Sequence, residues 1–138
     1  MVSVSKIFEF AAAHRLYRSD RSEEWNRQVY GKCANVNGHG HNYTLEVTVA
    51  GEVDAETGMI ANATVIEAIV KESILDQMDH RNLNLDVEWL SGRVTTVEVL
   101  IEAIWERLAP AITEVAGPAF LKRLVLWETK RIYAVKEI

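Results

Sequence analysis

The sequence predicts an α+β fold, a four-stranded antiparallel sheet with two helices packed on one face. Two strand-like runs open the chain, two amphipathic helical runs occupy its middle, and two more strand-like runs close it. Strands and helices that are segregated in this way form antiparallel sheets with helices on one side. At 138 residues, the chain reads as one domain spanning 1–138, long enough to bury a sizeable core.

Each element has a local justification. The first strand runs from Val4 to His14, with its apolar centre at Ile7–Phe10. Ser22-Glu23-Glu24-Trp25 has the form of a helix start, so a short helix is expected there. Tyr43, Leu45, Val47 and Val49 alternate with Thr44, Glu46 and Thr48, a period of two that specifies a half-buried strand. A turn at Asp54–Gly58 ends it. Asn62 is placed to cap a helix carrying Val65, Ile66, Ile69, Val70 and Ile74 at helical spacing. A second helix carries Val97, Leu100, Ile101, Ile104, Trp105 and Leu108. Thr95-Thr96-Val97-Glu98 opens it as a capping box, with Thr95 as the cap and Glu98 reaching back. Leu121–Trp127 and Arg131–Val135 complete the sheet through a tight turn at Thr129-Lys130. One sheet face and the sheet edges remain open, and association between copies is the expected remedy.

Composition narrows the function classes. Apolar residues make up 49% and charged residues 25%, with a net charge of −5, the profile of a soluble globular protein. That balance argues against a broad nucleic-acid or membrane-surface role and leaves room for a local basic pocket. No run reaches the ~18 apolar residues of a membrane span. The opening residues lack the apolar core of a signal peptide, and one cysteine cannot form an internal disulfide. A free thiol in a reducing, cytoplasmic setting is the expectation.

The chemistry concentrates between Cys33 and His41, in Cys-Ala-Asn-Val-Asn-Gly-His-Gly-His. His39 and His41 flank one residue, so in extended backbone both imidazoles point to one side, about 6.5–7 Å apart at Cα. Two such rings can close on one metal ion. Neutral imidazoles suit zinc, and a catalytic zinc keeps three protein ligands and one open position. Only His14 and His80 remain as histidine sources for the third. Cys33, beside a dication, would lose its proton more readily than a free thiol and could serve as base or nucleophile; a Cys-His-His structural site is the competing reading. Asp79-His80 pairs an acid with an imidazole, as a proton relay requires, although a helix C-terminal cap would use the same residues. Glu128 closes an apolar strand.

Phe10–Tyr17, Gly31–Cys33, Gly38–Tyr43, Gly51–Asp54, Thr57–Met59, Met78–Asn84, Thr96–Glu98 and Glu128-Thr129 together resemble one family over nearly the whole chain. It is the 6-pyruvoyl-tetrahydropterin synthase family of tunnelling-fold pterin enzymes. The resemblance implies His14, His39 and His41 as ligands of one Zn2+ per subunit and Cys33 as catalytic base. It further implies Asp79 and His80 as a proton relay, Glu128 as the anchor of the pterin's amino-pyrimidine edge, and Thr96 and Glu98 as supporting substrate contacts. Val97 departs from the family's pattern beside them. The implied fold is the tunnelling fold, in which trimers close their sheets into a barrel and two trimers stack into a homohexamer.

The implied reaction is a lyase step, conversion of 7,8-dihydroneopterin triphosphate to 6-pyruvoyl-tetrahydropterin with loss of triphosphate, a group that Mg2+ can accompany. It requires no NAD(P) or flavin, and the chain has no glycine-rich dinucleotide motif. A small-molecule substrate is implied, with no nucleic-acid or membrane partner. The competing branch is 6-carboxytetrahydropterin synthase of queuosine biosynthesis, whose members carry three residues between the cysteine and the first histidine of the pair. The five found here match the pyruvoyl branch. A third reading, from another class, is a non-catalytic oligomer held together by zinc.

Overall fold

A computed structural model describes residues 1–138. Its organising unit is a pair of 13-residue strands, β1 (Val2–His14) and β2 (His39–Gly51). They pair antiparallel along their full length, from Val2↔Gly51 to His14↔His39. The alternation read in the sequence fixes which side faces inward. Phe8, Phe10 and Ala12 of β1 and Tyr43, Leu45, Val47 and Val49 of β2 are all buried, as period-two side-chain placement requires.

β4 (Phe120–Trp127) pairs antiparallel with β2, and β5 (Tyr133–Glu137) pairs antiparallel with β4. The sheet has five strands, ordered β3-β1-β2-β4-β5, instead of the four expected. The addition is β3 (Arg81–Asn82), which lies parallel to β1 opposite Ala12 and Ala13. Two residues are too few to leave a periodic signal, and the pairing is imposed by the chain lying along the free edge of β1.

The first helix, α1 (Glu23–Tyr30), begins as expected with Ser22 accepting from the Trp25 N–H. The next, α2 (Ala63–Val70), is capped by Asn62, whose side chain accepts from the Thr64 N–H. It continues through a π-helical turn at Lys71–Leu75 into α3 (Asp76–Met78). α4 (Val97–Ala116) runs past the apolar series ending at Leu108, through Pro110, and buries Ile112 as well. Its cap differs from the capping box expected. Thr96, not Thr95, is the N-cap, accepting from the Val99 N–H, and Glu98 stands exposed in the first turn. Thr95 is fully buried and turned to other partners.

The last connection also differs. The tight turn expected at Thr129-Lys130 is a loop over residues 128–132, closed by Glu128 and Thr129 N–H groups donating to the Ile132 carbonyl. The Thr129 hydroxyl accepts from Arg131 and Ile132, a local bond that competes with extending the ladder.

One cluster of 25 buried side chains joins the inward sheet face to α2, its π-helical extension and α4. Ile104 belongs to it and has no exposed surface. Ile104→Ala should lower unfolding stability by about 2–5 kcal/mol, the usual cost of a large-to-small core substitution. Leu85→Ala, at a side chain 77% exposed, should stay within about 0.5 kcal/mol. Denaturant titration of both variants reads the contrast, and equal losses would contradict the placement of the core.

Candidate metal centre and its surroundings

The strand pairing that builds the sheet also gathers the histidines. His14 stands opposite His39, and Ala12 stands opposite His41. His14, His39 and His41 therefore share the inward face, continuing the Tyr43 and Leu45 side of β2. Their ring centroids lie 4.7, 5.1 and 4.9 Å apart in the three pairings. One nitrogen from each falls within 4.8 Å of the others, a spacing that could hold a metal ion.

The turn before β2 has one sterically required glycine. Gly38 has φ +73°, and an added Cβ would lie 2.8 Å from the His14 carbonyl oxygen. Only glycine permits that approach, which brings the Cys33–Gly38 turn against the end of β1.

His14 is fully buried, and its Nδ1 lies 2.9 Å from the Thr95 carbonyl oxygen. A carbonyl can only accept, so Nδ1 carries the proton and Nε2 keeps its lone pair. The Nε2 atoms of His14 and His41 are buried and have no hydrogen-bond partner. Burial holds His14 down at about 4, with the neighbouring His39 and His41 adding to the effect against the opposing Thr95 bond. His41 is lowered for the same leading reason, burial, and then by His39. Neutral imidazoles with buried, unpartnered ring nitrogens are what a dication requires, so the residues present fit a metal. Sequence reasoning did not single out the Thr95 carbonyl, because a backbone acceptor leaves no residue-type signal.

Glu128 borders the triad. Its Oε1 lies 3.8 Å from His41 Nε2, too far for a hydrogen bond. Burial pushes its carboxyl above the usual range, and the charge of Glu98 adds to the rise, which puts the two acids in one neighbourhood. Thr96, as the α4 N-cap, is half-buried close to Glu98 in sequence, while Val97 is buried in the core. The fully buried Tyr43 hydroxyl has no partner either, and burial, then the charge of Glu128, raises its pKa.

The remaining predicted residues lie outside the ring-nitrogen cluster. Cys33 is half-buried in a 3-10 turn at Gly31–Ala34, its carbonyl accepting from the Leu16 N–H at 2.9 Å. Asp79 and His80 do pair, with Asp79 Oδ1 2.9 Å from His80 Nδ1. The same oxygen accepts from the Ala11 N–H at 2.9 Å, while the His80 N–H donates to the Ala11 carbonyl. The Ala11 N–H bond holds the Asp79 carboxyl below the usual carboxylate range, with His80 adding to the effect. Asp79 also closes α3 as its C-cap, so the cap and the acid–imidazole pair coexist. The His80 side chain is 83% exposed and its backbone has φ +59°.

Because His14 titrates near 4 in the fold and near 6.5 in an unfolded chain, the unfolded state binds more protons between those values. Stability of the metal-free protein should therefore fall as pH drops from 6.5 through 4, by on the order of 3 kcal/mol for this one group. Denaturant titrations of chelator-treated protein at pH 7 and pH 4.5 measure it, and a flat profile would contradict the buried neutral imidazole.

The chain is similar to known proteins over nearly its whole length. The family model described as 6-pyruvoyl tetrahydropterin synthase matches residues 3–137. The chain is 42% identical over 126 residues to the 6-pyruvoyl tetrahydrobiopterin synthase of Dictyostelium discoideum, covering 91% of this chain and 88% of that one. The 6-carboxy-5,6,7,8-tetrahydropterin synthase of Haemophilus influenzae is 37% identical over 83 residues, covering 58% of this chain and 50% of its own length. The structure of Caenorhabditis elegans 6-pyruvoyl tetrahydropterin synthase superposes with a TM-score of 0.89 at 33% identity, covering 99% of this chain and 95% of that one. On the match over residues 3–137 and the shared fold, this chain belongs to the 6-pyruvoyl tetrahydropterin synthase family.

Proposed function

We propose that this protein is a zinc-dependent lyase that converts 7,8-dihydroneopterin triphosphate to 6-pyruvoyl-tetrahydropterin and triphosphate. The observation that carries the reading is the three-histidine cluster, with the buried, unpartnered Nε2 atoms of His14 and His41, beside the half-buried carboxylate of Glu128. The 42% identity to a 6-pyruvoyl tetrahydrobiopterin synthase over nine-tenths of the chain supports it.

His14, His39 and His41 would hold the zinc, leaving the open position of a catalytic site. When bound, zinc supplies Lewis acidity to the substrate's side-chain oxygens and makes the adjoining C–H bonds more acidic. The Cys33 sulfur then takes a side-chain proton. Asp79 fixes His80 through Nδ1, so Nε2 is the atom that returns a proton to the ring. Glu128 holds the amino-pyrimidine edge by accepting two parallel N–H bonds, with Thr96 and Glu98 completing that end. As the side chain is oxidised the ring is reduced, so no nicotinamide or flavin enters; Mg2+ can accompany the departing triphosphate.

An imidazole as exposed as His80 needs a facing surface to exclude water. A homohexamer of two stacked trimers, each closing its sheets into a barrel, supplies one, and it also covers the open sheet edges. The setting is the cytoplasm.

Zinc-loaded protein incubated with 7,8-dihydroneopterin triphosphate should yield 6-pyruvoyl-tetrahydropterin and triphosphate by mass analysis. Release of acetaldehyde with a carboxypterin would reassign the chain to the 6-carboxy branch, and no turnover would count against both. Cys33→Ala should lose at least ~10²-fold in rate, the lower range for a general base, while retaining its zinc. Loss of zinc from that variant would make Cys33 a ligand and overturn its role as base.

Chelation separates a catalytic ion from a structural one. Stripped protein should keep its assembly by analytical ultracentrifugation and regain turnover when zinc is restored. Dissociation on stripping would favour the zinc-held oligomer.

A further inference from the structure

Asn84 takes no part in the chemistry described above, yet its amide is committed to the site. Its Oδ1 accepts from the Arg15 N–H at 2.7 Å, and its Nδ2 donates to the Arg15 carbonyl at 3.0 Å. The same Nδ2 lies 3.3 Å from the Thr95 hydroxyl, which in turn donates to the Arg15 carbonyl. A carboxamide is the side chain that offers a donor and an acceptor side by side, so both polar groups of one residue just past β1 are occupied.

Arg15 sits between two functional groups. On one side its chain neighbour His14 is bound to the Thr95 carbonyl at 2.9 Å. On the other side Leu16 donates to the Cys33 carbonyl at 2.9 Å, and Arg15 itself donates through Nε to the Ala34 carbonyl at 2.8 Å. Asn84 thus reaches His14 by two routes, along the backbone and through Thr95, and reaches the cysteine turn through Arg15 and Leu16. Its own position is set by the segment that carries the acid–imidazole pair. Its N–H donates to Asn82 Oδ1 at 3.0 Å, and the neighbouring Leu83 N–H donates to the Ala13 carbonyl at 2.8 Å.

We infer that Asn84 is a positioning residue that holds the His14 imidazole and the Cys33 turn in one fixed frame by clamping the Arg15 backbone between them. The inference rests on the roles proposed above for His14 and Cys33. It extends them to a residue outside the histidine cluster. Side chains that lock a site in this way matter because misplacement by about 1 Å can cost ~10²-fold in rate.

Cys33 is the chain's only cysteine, so alkylation by iodoacetamide reads the geometry of its turn without interference. A second readout is the visible d–d band of Co2+ loaded in place of zinc, which follows the ligand field set by the histidines. Both are measured on the full chain and neither requires turnover. Asn84→Ala should raise the Cys33 alkylation rate about tenfold and shift the Co2+ band, and kcat should fall ~10–100-fold with KM changed less than threefold. Asn84→Asp keeps the acceptor for the Arg15 N–H and sets a carboxylate against its carbonyl. It is close to isosteric, carries the test if the alanine variant does not fold, and should show the same changes at smaller size.

Leu83→Ala is the control. Leu83 is fully buried in the same segment and should lose stability while leaving alkylation and the Co2+ band as in the parent. If Asn84→Ala or Asn84→Asp folds with parental alkylation and an unshifted band, the clamp is structural only and the inference fails. If both readouts move and the parent does not turn over the pterin triphosphate, the clamp stands and the functional reading fails.

Discussion

The register between β1 and β2 is the constraint on which the rest of the site depends. Strand side chains alternate faces, so slipping this pairing by one residue would send one strand's inward set to the outside. The inward set includes His14 on one strand and His39 and His41 on the other. The apolar residues that continue the same face resist such a slip. Phe10 stands opposite Tyr43 and stacks on it, with ring centroids 4.9 Å apart, and Phe8 stands opposite Leu45 in the core. Burial that stabilises the sheet thereby also sets the geometry of the histidine triad, and no separate scaffold is needed to bring the three rings together.

That economy has a polar cost. A buried imidazole must be neutral or paired, and an unpartnered buried acceptor costs about 1–3 kcal/mol. The Thr95 carbonyl satisfies one nitrogen of His14 and fixes its tautomer, which leaves Nε2 free for coordination. A metal bound at that atom would couple its affinity to folding, since whatever binds it offsets the desolvation of the ring. Glu128 sets the opposite demand at the rim, where a half-buried carboxylate near Glu98 favours a ligand that donates hydrogen bonds.

Much of this was legible in the sequence where one residue type does one local job. The period of two in β2, the caps at Ser22 and Asn62, and the apolar spacing of α2 and α4 were readable because each depends on near neighbours. His14 is tied to His39 and His41 by the family resemblance, since the residues alone leave His14 and His80 both open. The capping box failed because Thr95 and Thr96 offer the same hydroxyl, and tertiary contacts with Arg15 and Asn84 claimed the first of them. β3 was invisible because its extension comes from the edge of β1 and has no propensity of its own behind it. The tie from Asn84 to Arg15 spans 69 positions, and no local pattern encodes a bond of that reach.

The end of β1 gathers these long-range bonds into one stretch. Ala11 holds Asp79 and His80, Ala13 holds Leu83, His14 meets Thr95, Arg15 is clamped by Asn84 and reaches Ala34, and Leu16 holds Cys33. His80 shows why so many are needed. A non-glycine residue at φ +59° carries a backbone cost of about 1–3 kcal/mol and persists only where its surroundings over-determine it. Here the N–H of His80 is bound to Ala11, its ring to Asp79, and Asp79 again to Ala11. Sheet pairing can align histidines on one strand face, but it cannot orient groups on turns outside the sheet. Those turns borrow their order from β1, one group at a time, so the strand that positions the histidine triad also positions the groups proposed to move protons.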